Sequence, residues 1–215
     1  MKTILFDMYG VIIKESKGNF IPYTFGYFPK EKHESLITLF RDEQLFTKAG
    51  NGELSSHDFL RRLGFPDPDF HMRDYIENHL TIDNDFFAFA ESHKNQYHYA
   101  LLSNDVSEWS RYITAHHSLD GYLTTKIVSA DVGCRKPEPR IYEIALERLG
   151  VSAGECIFID NSTANLRVAE TLGMRTILFN RDGEAYDGRV VYSFGELTEM
   201  LSQPLETQAK KRRLP

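Results

Sequence analysis

Five short apolar runs, at positions 3–6, 99–102, 126–129, 156–159 and 176–179, punctuate this chain, and helical patterns separate the last four of them. Such runs are too short for buried helices and too continuous for strands with one wet face, so they read as strands buried on both sides of a parallel sheet. The pattern at 139–149 puts Ile141, Ile144, Ala145 and Leu149 on one stripe, with Gly150 as its stop. The pattern at 161–172 does the same with Leu166, Ala169 and Leu172 before Gly173. A third helix is expected over 105–116, with Asp105 as its N-cap. Strand–helix–strand alternation of this kind predicts an α/β fold, a Rossmann-like doubly wound parallel sheet that binds ligands at the carboxyl ends of its strands.

The first run stands apart from the rest. Some 80 residues of different character follow it: an aromatic, glycine- and proline-containing loop at 16–29, then helical patterns at 30–46, 55–63 and 69–79. Ser55 and Ser56 are the expected caps of the second pattern. The sequence therefore divides into an α/β core at 1–13 and 86–205, an inserted helical cap at 14–85, and a basic tail at 206–215. An insertion at the carboxyl end of a strand sits where lids sit. Phe20, Tyr23, Phe25, Tyr27 and Phe28 read as packing within the insertion.

The net charge of −6 argues against nucleic acid as a partner. Lys210, Lys211, Arg212 and Arg213 hold four of the 25 basic residues, so the imbalance over the rest of the chain is larger still, and this tail is expected to be solvated and disordered. Cys134 and Cys156 are too few for a disulfide framework, and neither they nor the scattered histidines have metal-site spacing. No apolar run approaches the ~20 residues that span a bilayer, and no signal peptide precedes the first strand. The expectation is a cytoplasmic protein with a small-molecule substrate, without a membrane or an obligatory protein partner.

Polar residues mark the ends of the expected core strands. Asp7 ends the first and turns at Gly10; Ser103 and Asn104 end the second. Lys136 follows the third, and Asp160 with Asn161 ends the fourth. In a parallel sheet all of these face one crevice, which brings together a nucleophile, a hydroxyl donor, a cation and a possible metal ligand.

The segments Phe6-Asp7-Met8-Tyr9-Gly10-Val11, Leu102-Ser103-Asn104, Lys136-Pro137-Glu138-Pro139 and Phe158-Ile159-Asp160-Asn161, in that order, resemble the haloacid dehalogenase superfamily. The inserted helices resemble those of its phosphatase-like subgroup. The resemblance implies that Asp7 attacks phosphorus. Ser103, Asn104, Lys136 and Gly10 would surround the phosphate, with Lys136 neutralising charge. Mg2+ would be held by Asp7, the backbone carbonyl of Tyr9 and Asn161, with Asp160 as support or substitute and Asn165 behind the loop. Two positions depart from the phosphatase pattern. Tyr9 stands where an aspartate acts as general acid and base, and Asn161 stands where an acidic metal ligand is usual. The resemblance thus implies a phosphatase-type hydrolase with weakened or atypical activity. One alternative is a family member that binds a phosphorylated ligand without turnover. Another is a metal-independent 2-haloacid dehalogenase, which the Asp7-Met8-Tyr9-Gly10 pattern and Arg41-Asp42-Glu43-Gln44-Leu45 resemble.

Overall fold

The structure is a computed structural model, and it describes residues 2–202. The basic tail lies outside the described residues. Six strands form one parallel sheet: β1 (Lys2–Phe6), β2 (Tyr97–Ser103), β3 (Leu123–Val128), β4 (Cys156–Asp160), β5 (Arg175–Phe179) and β6 (Arg189–Val191). Their order is β3-β2-β1-β4-β5-β6. The chain reverses its winding beside β1, which puts the switch point of a doubly wound sheet between β1 and β4. Phe6 pairs with Leu101 on one side and Ile159 on the other, so β1 is buried in the sheet's centre. Alternation divides its side chains. Ile4 and Phe6 join the core on one face, while Leu5 joins Leu102, Tyr142 and Phe158 on the other.

The helices that cover this sheet are α6 (Asp85–His93), α7 (Ser107–His116), α9 (Pro139–Leu149), α10 (Thr163–Thr171) and α11 (Phe194–Ser202), with the short α8 (Ser129–Val132) after β3. The five strands expected from sequence are all present. The short edge strand β6 carries no apolar run long enough to announce it. Two helix starts differ from expectation. Asp105 does not cap α7, whose N-cap position is Val106, and α10 begins at Thr163 because Asp160 and Asn161 belong to the strand end and its turn.

Five helices lie between β1 and α6: α1 (Phe20–Tyr27), α2 (His33–Arg41), α3 (Leu45–Gly50), α4 (Ser56–Leu63) and α5 (Pro68–His79). The segment expected to be an aromatic loop is instead helix α1. Pro22 falls in its first turn, where backbone N–H groups have no intrahelical partner, so the ring costs no hydrogen bond. The single helical pattern at 30–46 is broken by Gln44, whose φ of 50° reverses the chain between α2 and α3. Ser55 caps α4 by accepting from Asp58 N at 3.0 Å. Ser56 accepts instead from Trp109 Nε1 at 2.7 Å, which ties α4 to α7 of the sheet's helical layer. Phe20 stacks obliquely on the same indole, with centroids 4.8 Å apart.

The inserted helices leave and rejoin the core through one narrow link. Ile13 bridges Ile82 antiparallel, Lys14 N donates to Thr81 O at 2.9 Å, and Asp83 N donates to Ile12 O at 2.8 Å. Arg181, from the loop after β5, braces this link. It donates to Gly10 O at 3.1 Å and Val11 O at 3.2 Å, and it pairs with Asp83. Among the described residues no helix is long and apolar enough to cross a membrane.

Candidate active site

Asp7 follows β1 directly, and its N–H still bonds to Ile159 O at 2.9 Å, so its backbone is fixed by the sheet. Its Oδ1 accepts from Met8 N at 2.7 Å and lies 2.7 Å from Lys136 Nζ. Neither contact uses Oδ2. Lys136 is itself buried, and its ammonium also donates to Asp160 Oδ2 at 2.8 Å. The loop that carries Lys136 is set by Asn104. The Asn104 carboxamide donates to Lys136 O and accepts from Lys136 N, both at 2.8 Å. Asn104 therefore spends its side chain on placing the lysine, not on a phosphate.

Asp160 is engaged on both oxygens. Oδ1 accepts from Ser162 N at 2.8 Å, and Asn165 Nδ2 donates to both oxygens at 3.1 Å. Asn165 is anchored in turn, its carbonyl accepting from Tyr142 OH at 3.0 Å. This geometry fits Asp160 as a support of Lys136 and leaves it no freedom to turn toward Asn161. Ser103 closes β2 with 0% exposure, and its Oγ has no hydrogen-bond partner among the described residues. A buried hydroxyl without a partner is costly unless a ligand completes it.

Gly10 adopts φ of 82°, and a side chain there would run into the Asn161 amide, so only glycine admits this approach. Its N–H is already given to Ile13 O at 2.7 Å, which removes it from the expected phosphate cradle. Tyr9 points its hydroxyl at Asp105 Oδ1, 3.2 Å away. Asp105 was expected as a helix cap; its carboxyl is instead buried beside the cleft, with Oδ1 also accepting from Val106 N at 2.8 Å and Oδ2 without a partner among the described residues.

Burial pushes the Asp7 carboxyl up to about 7, against the pull of Lys136 and with a push from Asp160. Burial alone would lower Lys136, but Asp160 and Asp7 overcome it and hold its pKa above the ordinary value. The Tyr9 phenol is raised well above 10 by burial and then by Asp105. Asp105 is raised from 3.8 to about 8, mainly by burial.

The last shift sets a pH dependence of stability. Below pH 3.8 folded and unfolded chains both hold the Asp105 proton; between there and about 8 only the folded chain does. Stability therefore falls as pH rises through that window. In Asp105→Asn this component is absent. Urea midpoints at pH 5 and pH 8 will show a fall between the two that is smaller than the wild type's by about 2 kcal/mol or more, since each pH unit is worth ~1.4 kcal/mol. Equal falls in the two proteins would show that Asp105 is ionised when folded.

Asp7, Tyr9, Asn104, Lys136, Asn161 and Asn165 line one cleft of about 300 Å³. Phe46 and Tyr75 reach it from the inserted helices, and Ser16, Lys17 and Gly18 from the segment leading into them. Asp182 and Glu184 complete it from the loop after β5. Ser103, Asp160 and Gly10, also expected at this crevice, do not line it, the first two being fully buried behind it, and Asp182 and Glu184 were not expected from the sequence. The signal was available, because the run at 176–179 ends on the same edge of the sheet as the others. Arg41, whose segment resembles a halide-binding motif, is not among the lining residues; its side chain is 74% exposed and pairs with Asp42 at 2.7 Å. Among the described residues no three His, Cys, Asp or Glu side chains cluster closely enough to hold a metal by themselves.

The doubly wound sheet thus carries a strand-end aspartate held against a buried lysine, with a polar cleft at its switch point. The family model for haloacid dehalogenase-like hydrolases matches residues 1–173, and this chain belongs to that family. It is 23% identical over 196 residues to the D-ribitol-5-phosphate phosphatase of Bacteroides thetaiotaomicron, a match covering 82% of this chain and 90% of that one. It is 34% identical over 84 residues to the (S)-2-haloacid dehalogenase 4A of Burkholderia cepacia, covering 39% of this chain and only 36% of the dehalogenase. A haloacid dehalogenase-family enzyme from Bacteroides thetaiotaomicron, solved with magnesium and inorganic phosphate, superposes with a TM-score of 0.70 at 22% identity, covering 87% of this chain and 98% of that one.

Proposed function

We propose that this chain is a phosphomonoester hydrolase for a small molecule, assisted by magnesium and using Asp7 as nucleophile, with the helices of residues 20–79 as its cap. The observation that carries this reading is the buried Asp7–Lys136–Asp160 triad. It places a cation, anchored from behind, 2.7 Å from the nucleophile, where it would offset the charge of an incoming phosphate. Phe46 and Tyr75 on the cleft support the cap assignment.

In the proposed reaction Asp7 Oδ2 attacks phosphorus, a new O–P bond forms and the ester O–P bond breaks. The alcohol departs with the electron pair of that bond, and water later cleaves the aspartyl-phosphate to inorganic phosphate. Lys136 stays protonated and holds Asp7 oriented throughout. Tyr9 occupies the place of the usual acid and gives its hydroxyl to Asp105, whose own carboxyl is buried behind Tyr9 and does not line the cleft, so neither is placed to protonate the leaving alcohol. The proton comes from water, which favours esters of acidic alcohols. Magnesium fits a donor set made of hard oxygens: the Asp7 carboxylate, the Tyr9 carbonyl and the Asn161 carboxamide. When bound it would polarise the phosphoryl group and offset its charge.

The test is phosphate release from a panel of small phosphoesters with magnesium, comparing wild type with Asp7→Asn. Turnover in wild type and its loss in the variant are expected. A silent wild type, or a variant as active as wild type, would overturn the assignment. The dehalogenase alternative loses the support of Arg41, which lies in solvent and away from the cleft.

A further inference from the structure

We propose that Asp182 supplies the second negative charge for the divalent cation, so that the cation is shared by Asp7 and Asp182 across Asn161. This inference rests on the metal-assisted reading above and concerns a residue that reading does not use. The charge balance motivates it. Asp7 and Asp160 share the single charge of Lys136, and Asp160 is saturated by Ser162, Asn165 and the lysine. A cation held by Asp7 and the neutral Asn161 would therefore meet only a fraction of one negative charge. Magnesium sites built into phosphate chemistry ordinarily use one or two carboxylates together with substrate oxygens and water.

Asp182 is placed to be the second. It lines the same cleft as Asp7 and Asn161, and its Oδ2 lies 3.5 Å from the Asn161 carboxamide. That distance is long for a hydrogen bond. Neighbouring oxygens on one magnesium are about 3 Å apart, given bonds of about 2.0–2.1 Å, so the pair needs only a small adjustment to share an ion. The amide's two ends are interchangeable by a rotation of its terminal torsion, which would turn the oxygen toward the ion. The acid is also held in place. Ser16 Oγ, on the segment that leads into the inserted helices, donates to Asp182 Oδ1 at 3.0 Å, and the neighbouring Arg181 fixes the loop to Gly10 and Val11. Oδ1 is thus tethered and Oδ2 faces the Asn161 side chain.

The test is direct binding of Mn2+, a spectroscopically visible stand-in for magnesium, to the full chain without substrate, read by electron paramagnetic resonance of the free ion. Asp182→Asn is expected to weaken binding about tenfold or more, and adding Asn161→Asp to that variant should restore it. Ser16→Ala, which keeps the carboxylate and loses only its tether, should weaken binding much less. If Asp7→Asn loses the ion and Asp182→Asn does not, the metal-assisted reading stands and this inference falls. Failure of Asn161→Asp to rescue Asp182→Asn also overturns it. If wild type and Asn161→Asp both fail to bind Mn2+, the metal reading falls and takes the inference with it. Asp182 is exposed on a loop, so the variants are expected to fold, and an unchanged circular dichroism melt confirms it.

Discussion

Lys136→Met destabilises the protein by about 3–5 kcal/mol at pH 8 and removes turnover. Methionine keeps most of the volume, so the loss is electrostatic. The substitution strands two carboxylates whose side chains are 10% and 0% exposed, Asp7 and Asp160, with no cation between them. Breaking a buried ion pair by removing one partner typically costs this much, because the remaining charge has neither water nor counter-ion. The defect is pH-dependent, with a definite sign. Without Lys136 the folded-state Asp7 carboxyl rises further above its unfolded value, and the folded chain takes up a proton that the unfolded chain has released. The variant therefore recovers part of its stability as pH falls toward 5. Urea midpoints at pH 5 and pH 8 check this; a deficit below about 1 kcal/mol at pH 8, or one indifferent to pH, would mean the three side chains do not form the buried network described.

The second large effect is a gain. Tyr9→Asp combined with Asn161→Asp is expected to raise turnover of alkyl phosphates by about 10²–10⁴-fold, the usual worth of general acid–base help. Tyr9 is half-buried, with its hydroxyl on Asp105 and its ring close to Gly18, so replacing it frees the space above Asp7 and puts a carboxyl there. Asn161→Asp adds charge for the cation that would otherwise be drawn away by the new acid. The discriminating measurement is selectivity. Wild type should hydrolyse p-nitrophenyl phosphate far faster than an alkyl phosphate, because nitrophenolate leaves without a proton, and the double variant should narrow that gap. A folded double variant with unchanged rates on both substrates would show that the missing acids do not limit the enzyme.

The strands and their polar ends were legible because a buried parallel strand leaves a continuous apolar run in sequence, and Asp7, Ser103 and Asp160 each terminate one. The triad was not. Which side chain touches which depends on the cross-sheet distance between β1 and β4, and no spacing along the chain encodes it. Asp105 shows a different limit. An aspartate before a helical pattern reads as a cap, and only the position of Tyr9, 96 residues earlier in the chain, makes it a buried partner. Helix α1 was hidden because Pro22 and Gly26 signal a turn locally, whereas Phe20 is held by packing on the distant rings of Phe59, Tyr75 and Trp109. The break at Gln44 was hidden for the opposite reason, since nothing about a glutamine demands a left-handed backbone.

The narrow link at Ile13 and Ile82 also bears on how the chain finds its fold. The central pairing of the sheet joins Phe6 to Leu101, across almost half of the sequence. Once Lys14 and Thr81 have paired, everything between them drops out of the loop to be closed. The remaining stretch is about three-tenths as long, which lowers the closure cost by about 1 kcal/mol at ~0.6 kcal/mol per halving. The link thus shortens the search by which the sheet's two central strands meet, and the sixty-odd residues beyond it ride on the core as a side branch rather than as slack between its halves.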